Sequence, residues 1–378
     1  MLNFDLSDEQ RLFRDTVREF AEGAIGPVAE QLDRESRFPT ELVEQAAGLG
    51  LLGVPLPEQW GGAGADTVSY ALTIEELARV DSSFAITVAA HTSLGTMPIH
   101  LFGSDDQKQR WLPELAAGRG LAAFGLTEPD AGSDAGATRT SARLDGAEWV
   151  INGSKMFITN AGTPLSRLVT ITALTGEAEI SNLVVENGTP GYRQGQPLDK
   201  MGWRSSDTRE LVFDECRVPD RNLLGPRGEG LHQFLRILDG GRISVAAIGL
   251  GMAQGAFEMA LAYARRRHQF GHPIGSFQAI QFKLADMAVE IEAARGLVLK
   301  AAWLKDAGRP FAQAAAHAKL YTGELARRAC NEAVQIHGGY GFMDETPVSR
   351  FYRDAKVLEI GEGTNEIQRL VIARGLGL

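Results

Sequence analysis

Asp145-Gly146-Ala147-Glu148-Trp149-Val150-Ile151-Asn152-Gly153-Ser154-Lys155-Met156-Phe157-Ile158-Thr159 decides the fold class. Two short runs rich in β-branched and aromatic residues, 148–151 and 155–159, alternate with the turn pairs Asp145-Gly146 and Asn152-Gly153. Asx-Gly pairs tolerate the positive φ of tight hairpins, so the segment reads as strand, turn, strand. The same grammar extends outward. Further β runs occupy 121–126, 168–173, 183–186 and 210–213, with turn pairs at Thr175-Gly176 and Asn187-Gly188. No helical period intervenes between Gly118 and about Pro226. An antiparallel barrel or sandwich is expected there, not a βαβ array.

Both flanks are helical. Ser7 with Gln10 forms a capping box, followed by Leu12, Phe13, Val17, Phe20 and Ala21 at helical spacing. Gly23 is the expected stop, and Thr40 the expected cap of a second helix. Residues 55–62 break the pattern with two prolines and two glycines. Helical periodicity resumes over 68–80 and 82–102, and Ser104 with Gln107 opens another helix. Beyond Gly230, residues 231–269, 277–307 and 310–337 predict long helices whose apolar coverage suits a bundle. The order is helices, β domain, helical bundle.

The 378 residues exceed what one core usually supports. A formal net charge of −10 argues against a nucleic-acid or membrane-surface partner. Cys216 and Cys330 have no ligand spacing and suit a reducing compartment. The Met1–Asp5 start lacks a leader pattern, and no long uncharged apolar stretch is expected to span a bilayer. A cytoplasmic protein is expected.

Several chemistries lack their motifs. There is no phosphate loop, no GxSxG turn and no HExxH or other metal pattern, so no metal site is expected. Gly249-Leu250-Gly251-Met252-Ala253-Gln254-Gly255 has the wrong spacing for a dinucleotide fingerprint and no strand before it; helix packing explains it better.

Four stretches carry polar or small residues where a ligand could sit. In 124–134 a strand runs into a loop whose Thr127 and Ser133 can donate, with Gly132 open to close approach. Residues 155–160 form a strand ending in the hydroxyl of Thr159. Arg267-His268-Gln269-Phe270-Gly271, with Gln278, follows the first bundle helix. Gln335-Ile336-His337-Gly338-Gly339-Tyr340-Gly341-Phe342 follows the third. Each also has a plain reading: a polar loop, a helix C-cap, or a helix end. A fifth stretch, 359–368, sets Glu362 between Gly361 and Gly363 with Thr364 as cap of a last helix. Ile367, Leu370, Val371 and Ala373 are expected to form its apolar face. Glu362 reads either as a general base or as part of a surface turn.

In this order, the segments resemble the acyl-CoA dehydrogenase family over essentially the whole chain. Two stretches match position by position: Gly125-Leu126-Thr127-Glu128 through Gly132-Ser133-Asp134, and Gln335 through Phe342 with Glu345, Arg350 and Asp354. Lys200-Met201-Gly202-Trp203-Arg204-Ser205-Ser206-Asp207-Thr208 and the Val218-to-Gly225 run look like its middle domain. The resemblance implies an N-terminal α-helical domain (1–118), a middle β-barrel domain (119–227) and a C-terminal four-helix bundle (228–378). It implies FAD between the latter two and a homotetramer.

By the same resemblance, Phe124, Leu126, Thr127 and Gly132 would line the flavin. Ser133 would reach its pyrophosphate or the substrate arm. Phe157, Ile158 and Thr159 would flank the ring. Arg267, Gln269, Phe270, Gln278, Gln335, Gly338 and Gly339 would hold phosphates and adenosine, some across a subunit interface. Thr364 and Glu366 would contact FAD beside the base. Asp239 and Arg242 would border the CoA-side groove, and Gly363 would give the thioester room.

The implied reaction is α,β-desaturation of an acyl-CoA to the trans-2-enoyl-CoA. Glu362 would take the α-proton, a hydride would pass from the β-carbon to FAD N5, and electrons would go on to electron-transferring flavoprotein. An acyl-CoA oxidase, a desaturase of carrier-protein-bound acyl groups and a non-catalytic member of the fold are the alternatives. Some relatives place the base just before the arginine matching Arg242; here that position is Gly241, which cannot serve. Gly361 replaces an aromatic residue of many relatives, so either the pocket is wider there or neighbours refill it. Phe157 stands where many have tryptophan.

Overall fold

The computed structural model describes residues 5–378, so Met1–Phe4, part of the start read for a leader, lie outside it. The first helix, α1 (Asp8–Phe20), opens on Ser7, whose hydroxyl accepts from Gln10 N while the Gln10 side chain reaches back. Gly23 does not stop it: a π-turn, Ala21–Ile25, carries the chain on to Gly26. After α2 (Ala29–Glu35), α3 (Thr40–Gly48) begins one residue earlier than read. Pro39 is its N-cap and accepts from Leu42 and Val43 N–H, so the Thr40 hydroxyl caps nothing. Proline's restricted φ already lies near the helical range, which draws the start back.

Asp66 caps α4 (Thr67–Val80), which is buried over most of its length, and Asp81 caps α5 (Ser82–Ala89). A π-segment, Ala90–Thr96, joins α5 to α6 (Met97–Phe102), so 82–102 is one rod with an over-wide turn. A second capping box, Ser104 with Gln107, opens α7 (Asp105–Ala116).

The middle domain is an eight-stranded sheet of β1 (Leu121–Gly125), β2 (Ser141–Asp145), β3 (Glu148–Thr159), β4 (Ser166–Gly176), β5 (Glu179–Glu186), β6 (Tyr192–Gln194), β7 (Thr208–Pro219) and β8 (Leu223–Leu224). Its order is β6-β7-β3-β2-β4-β5-β8, with β1 parallel to β4 and the other long ladders antiparallel. The Asp145-Gly146 hairpin is as read. Asn152-Gly153 is not a turn: β3 runs through it, and the ladder to β7 slips there instead. Gly153 takes φ 142, and a Cβ would strike Thr140, so glycine is required for the bulge rather than for a reversal. A core of Trp149, Ile151, Ile158, Val169, Ile171, Leu183, Leu211 and Phe213, among others, fills the curled sheet.

The third part holds α8 (Gly230–Arg266), a two-stranded ribbon of β9 (His268–Gln269) and β10 (His272–Pro273), α9 (Gln278–Asp306), α10 (Ala312–His337), α11 (Pro347–Ala355) and α12 (Asn365–Gly375). α8, α9 and α10 pack together, and α12 lies on α10. α4 packs on both α8 and α9, so the two helical parts share one continuous core. The glycines of α8 make that contact possible. A Cβ on Gly251 would strike the Glu75 carbonyl on α4, and one on Gly249 would crowd Thr322 on α10. Helix packing is thus their role.

By length and composition α8 is apolar enough to cross a membrane, contrary to expectation, but 67% of the apolar window is buried inside the protein. The face of α12 also differs. Asn365 and Gln368 are buried, Leu370 is exposed, and Ile367, Val371 and Ala373 are only partly covered. Polar side chains face α10 because the turn before α12 needs hydrogen-bond partners there.

Candidate active site

Glu362 is the centre. Its backbone is left-handed (φ 51), as is that of Gly363 (φ 86), and its two carboxylate oxygens are buried. Neither oxygen has a hydrogen-bond partner among the described residues, and neither does the Glu362 N–H. The carboxylate rests on α8 at Gly241. A Cβ there would lie under 3.0 Å from Oε2 and close to Leu94 of the π-segment. Glycine at 241 is therefore what admits the carboxylate to this position. Burial pushes Glu362 up to about 7, against the opposing pull of Lys319 and Arg242.

Three buried hydroxyls lie close to this pocket. Ser244 donates to Gly241 O (2.8 Å) and Ser93 Oγ (3.2 Å), Ser93 donates to Ala89 O, and Tyr70 donates to the same carbonyl. Burial raises Tyr70 far above its ordinary range, with Glu362 adding to the rise, so it stays a neutral donor. Arg242 is buried, pairs with Asp239 one turn away, and leaves its Nε without a partner. Burial raises Asp239 while Arg242 opposes the rise.

The β domain meets the same face of α8. Phe124 stacks on Phe234 with ring centroids 3.8 Å apart. Phe234 and Gly241 are two helical turns apart on one face, about 10 Å. The end of β1 and Glu362 therefore lie against one face of α8, two turns apart. The loop after β1 is anchored from below by an ion pair missed in the sequence. Lys155 Nζ, fully buried, lies 2.7 Å from Glu128 Oε1 and also donates to Leu126 O and Thr172 Oγ1. Glu128 further accepts from Arg139 N and Thr140 N. Burial alone would raise Glu128; the Lys155 hydrogen bond and charge outweigh it and hold the carboxyl at about 2. Burial brings Lys155 down to about 8.

Removing one partner leaves the other charge buried and unpaired. Lys155→Met should cost about 3–5 kcal/mol in denaturant unfolding. Because the folded carboxyl is depressed, the contribution linked to Glu128 is present above the ordinary carboxylate range and lost as the pH falls toward 2.

The hydroxyls of Thr127, Ser133 and Thr159, none of them buried, have no side-chain hydrogen bond among the described residues. Gly132 has open space where a Cβ would go. Phe157 is 66% exposed at φ 63, a strained conformation that turns its ring out of the sheet. An exposed aromatic face at the end of β3, with uncommitted hydroxyls on the same strand end and on the loop after β1, suits a planar, polar-edged group such as a flavin. Ile158 differs: its side chain packs in the β core, leaving only its backbone to face outward. Thr364 caps α12, accepting from Ile367 N at 3.3 Å, and Glu366 is exposed beside it.

The remaining candidates lie elsewhere. Arg267, Gln269, Gly338 and Gly339 line an open cleft of about 530 Å³ with Tyr263, His337 and Tyr340, and Arg267 sits over the Tyr340 ring. Phe270, Gln278 and Gln335 are exposed and do not line it. This cleft is at the far end of α8, roughly 25 residues or about 38 Å from Gly241. The structure therefore splits the predicted residues into two groups within one chain.

Comparison with known proteins is unambiguous. Family models described as the N-terminal, middle and C-terminal domains of acyl-CoA dehydrogenase match residues 7–119, 123–216 and 228–377. The chain belongs to the acyl-CoA dehydrogenase family. A "Probable acyl-CoA dehydrogenase YngJ" of Bacillus subtilis is 54% identical over 99% of this chain and 100% of that protein. Butyryl-CoA dehydrogenase from Megasphaera elsdenii superposes with a TM-score of 0.97 at 43% identity, covering all of both chains. A structure described as the electron transferring flavoprotein of Acidaminococcus fermentans contains a chain matching at 0.97 and 44%, over 99% of each. An acyl-CoA dehydrogenase from Bacillus anthracis, complexed with FAD, matches at 0.95 and 36%, over 100% of this chain and 68% of that one. The members of this dehydrogenase family are FAD-dependent oxidoreductases acting on CH–CH groups.

The candidates missed from sequence are Lys155, Glu128, Lys319 and Gln368. Lys319 had a usable signal: it lies in the alanine-rich apolar stripe of α10, beside Ala315, Ala316 and Ala318, where a lone lysine is out of place.

Proposed function

We propose that the protein desaturates an acyl-CoA thioester between its α- and β-carbons, with Glu362 as the base. One observation carries this: a buried carboxylate without a partner, seated on a glycine and raised to about 7. Such a group has the proton affinity that removing a weakly acidic α-proton requires. The uncommitted Glu362 N–H can donate to the thioester carbonyl as negative charge develops on its oxygen. Expulsion of water by the acyl chain strengthens both effects.

Bound FAD supplies the acceptor for the hydrogen and electron pair leaving the β-carbon. Phe157, Thr127, Ser133 and Thr159 would hold it, with Thr364 and Glu366 at the base turn. Asp239 and Arg242 border the groove for the CoA arm. Gly361 supports room near the reacting carbons, since nothing lies nearer than 3.5 Å to a Cβ placed there.

The Arg267–Gly339 cleft is too distant to serve the same flavin. It would hold the phosphates and adenosine of a flavin bound by a neighbouring copy, which makes a homotetramer the natural assembly. Electron-transferring flavoprotein is the proposed acceptor, supported by the matching chain in a structure of such a protein.

Anaerobic titration with butyryl-CoA tests this reading: flavin absorbance should bleach, and no bleaching with any acyl-CoA would overturn it. The pH profile is a second check. Because the base must be ionised, kcat/KM should fall about tenfold per unit below a limb near pH 7.

A further inference from the structure

The turn that carries Glu362 is clamped from two helices. Lys319 on α10, 0% exposed, donates from Nζ to Gly363 O at 2.7 Å and to Asn365 Oδ1 at 3.3 Å. Gln368 on α12 donates from Nε2 to Gly363 O at 3.0 Å and to Glu362 O at 3.3 Å. A non-glycine residue in the left-handed region costs about 1 kcal/mol and persists only where the surroundings impose it. Here three hydrogen bonds from two side chains to the Glu362 and Gly363 carbonyls impose it.

Lys319 is more than a hydrogen-bond donor. Its acceptors are a neutral carbonyl and a neutral amide, and no carboxylate among the described residues lies within ion-pair distance. Glutamine could make equivalent bonds without the cost of burying a charge. The charged groups around Lys319 are Glu362, Glu366, Glu359 and Arg242. Those around Glu362 are Lys319 and Arg242, with the Tyr70 hydroxyl nearby. Both cations act on the base, but Arg242 is shared with Asp239, and the pull of Lys319 is the larger of the two. Burial lowers Lys319 to about 8, and Glu362 is the first of the charges pulling it back up, so it remains protonated at neutral pH.

We propose that Lys319 is a positioning residue for proton abstraction, acting on Glu362 through the turn it clamps and through its buried charge. This rests on Glu362 being the base. Without the cation the carboxylate would hold its proton to higher pH, and without the clamp the turn would relax toward an unstrained conformation.

The test is stopped-flow reduction of the holoenzyme flavin by butyryl-CoA, from about pH 5.5 to about pH 9. In Lys319→Met, the limiting rate should fall about 10²-fold. Its acid limb should move up by about 1 pH unit. Lys319→Gln keeps a donor without charge and should show the limb shift with a smaller rate loss; it also carries the test if the methionine variant does not fold. Gln368→Met removes part of the clamp alone and should slow reduction without moving the limb.

Infrared titration of the Glu362 carboxyl, assigned by its absence in Glu362→Gln, gives a readout independent of turnover. The band should titrate at higher pH in Lys319→Gln. An acid limb and infrared band at the wild-type pH in the lysine variants overturn the proposal. If Glu362→Gln is itself active, the base assignment fails; if it is inactive while the limb stays fixed, only the role of Lys319 fails.

Discussion

Replacing Glu362 by glutamine is expected to slow flavin reduction by acyl-CoA about 10⁴-fold, the upper range for loss of a general base. The amide matches the carboxylate in size, so the seat on Gly241 and the clamps on the Glu362 and Gly363 carbonyls should persist. Flavin content should therefore match wild type, separating lost chemistry from lost cofactor. Stability should move the other way. The folded carboxyl titrates at about 7, above the roughly 4.3 of an unfolded glutamate. Between those values the folded chain retains a proton that the unfolded chain releases. The stability linked to that proton is lost as the pH rises through about 7. Glu362→Gln escapes this loss, so its gain in Tm over wild type should be larger at pH 8 than at pH 5. A variant that reduced flavin at the wild-type rate would remove Glu362 from the reaction.

Gly241→Ala should be nearly as damaging, although it adds one methyl group to a helix interior. Alanine suits a helix better than glycine by roughly 1 kcal/mol, so no fault in α8 is expected. The damage falls on the neighbour. The new Cβ would occupy the space of Glu362 Oε2 and press on Leu94. Displacing a reacting group by about 1 Å costs about 10²-fold. The rate constant for flavin reduction should fall by that factor while Tm stays within a few degrees of wild type. A wild-type rate would mean that the carboxylate is not used where the structure places it.

The helical and β regions were legible because their signals are local. The Ser7–Gln10 capping box formed as read, Ser104 and Gln107 opened a helix as read, and turn pairs such as Asp145-Gly146 marked real reversals. Errors came where distant contacts override local grammar. Asn152-Gly153 looks like a turn, yet pairing with β7 draws β3 straight through it. Ile367 and Leu370 look like a buried face, yet α12 turns Asn365 and Gln368 inward toward the Glu362 turn. Glu362 itself was legible only through resemblance, because burial without a partner is a property of three dimensions. Lys155 and Glu128 are 27 residues apart, and nothing along the chain announces that they meet.

α4 has most of its surface buried, much of it against helices made long after it. During synthesis its partner α8 is about 150 residues away, a wait on the order of 10–30 s at about 5–20 residues per second. Over that interval α4 cannot complete its packing, while the β domain between them can assemble. The sheet is in effect an insertion within one helical body. The newborn chain must keep an apolar helix out of wrong partnerships until α8 arrives, so a ribosome-bound fragment ending near Gly230 is its most aggregation-prone form.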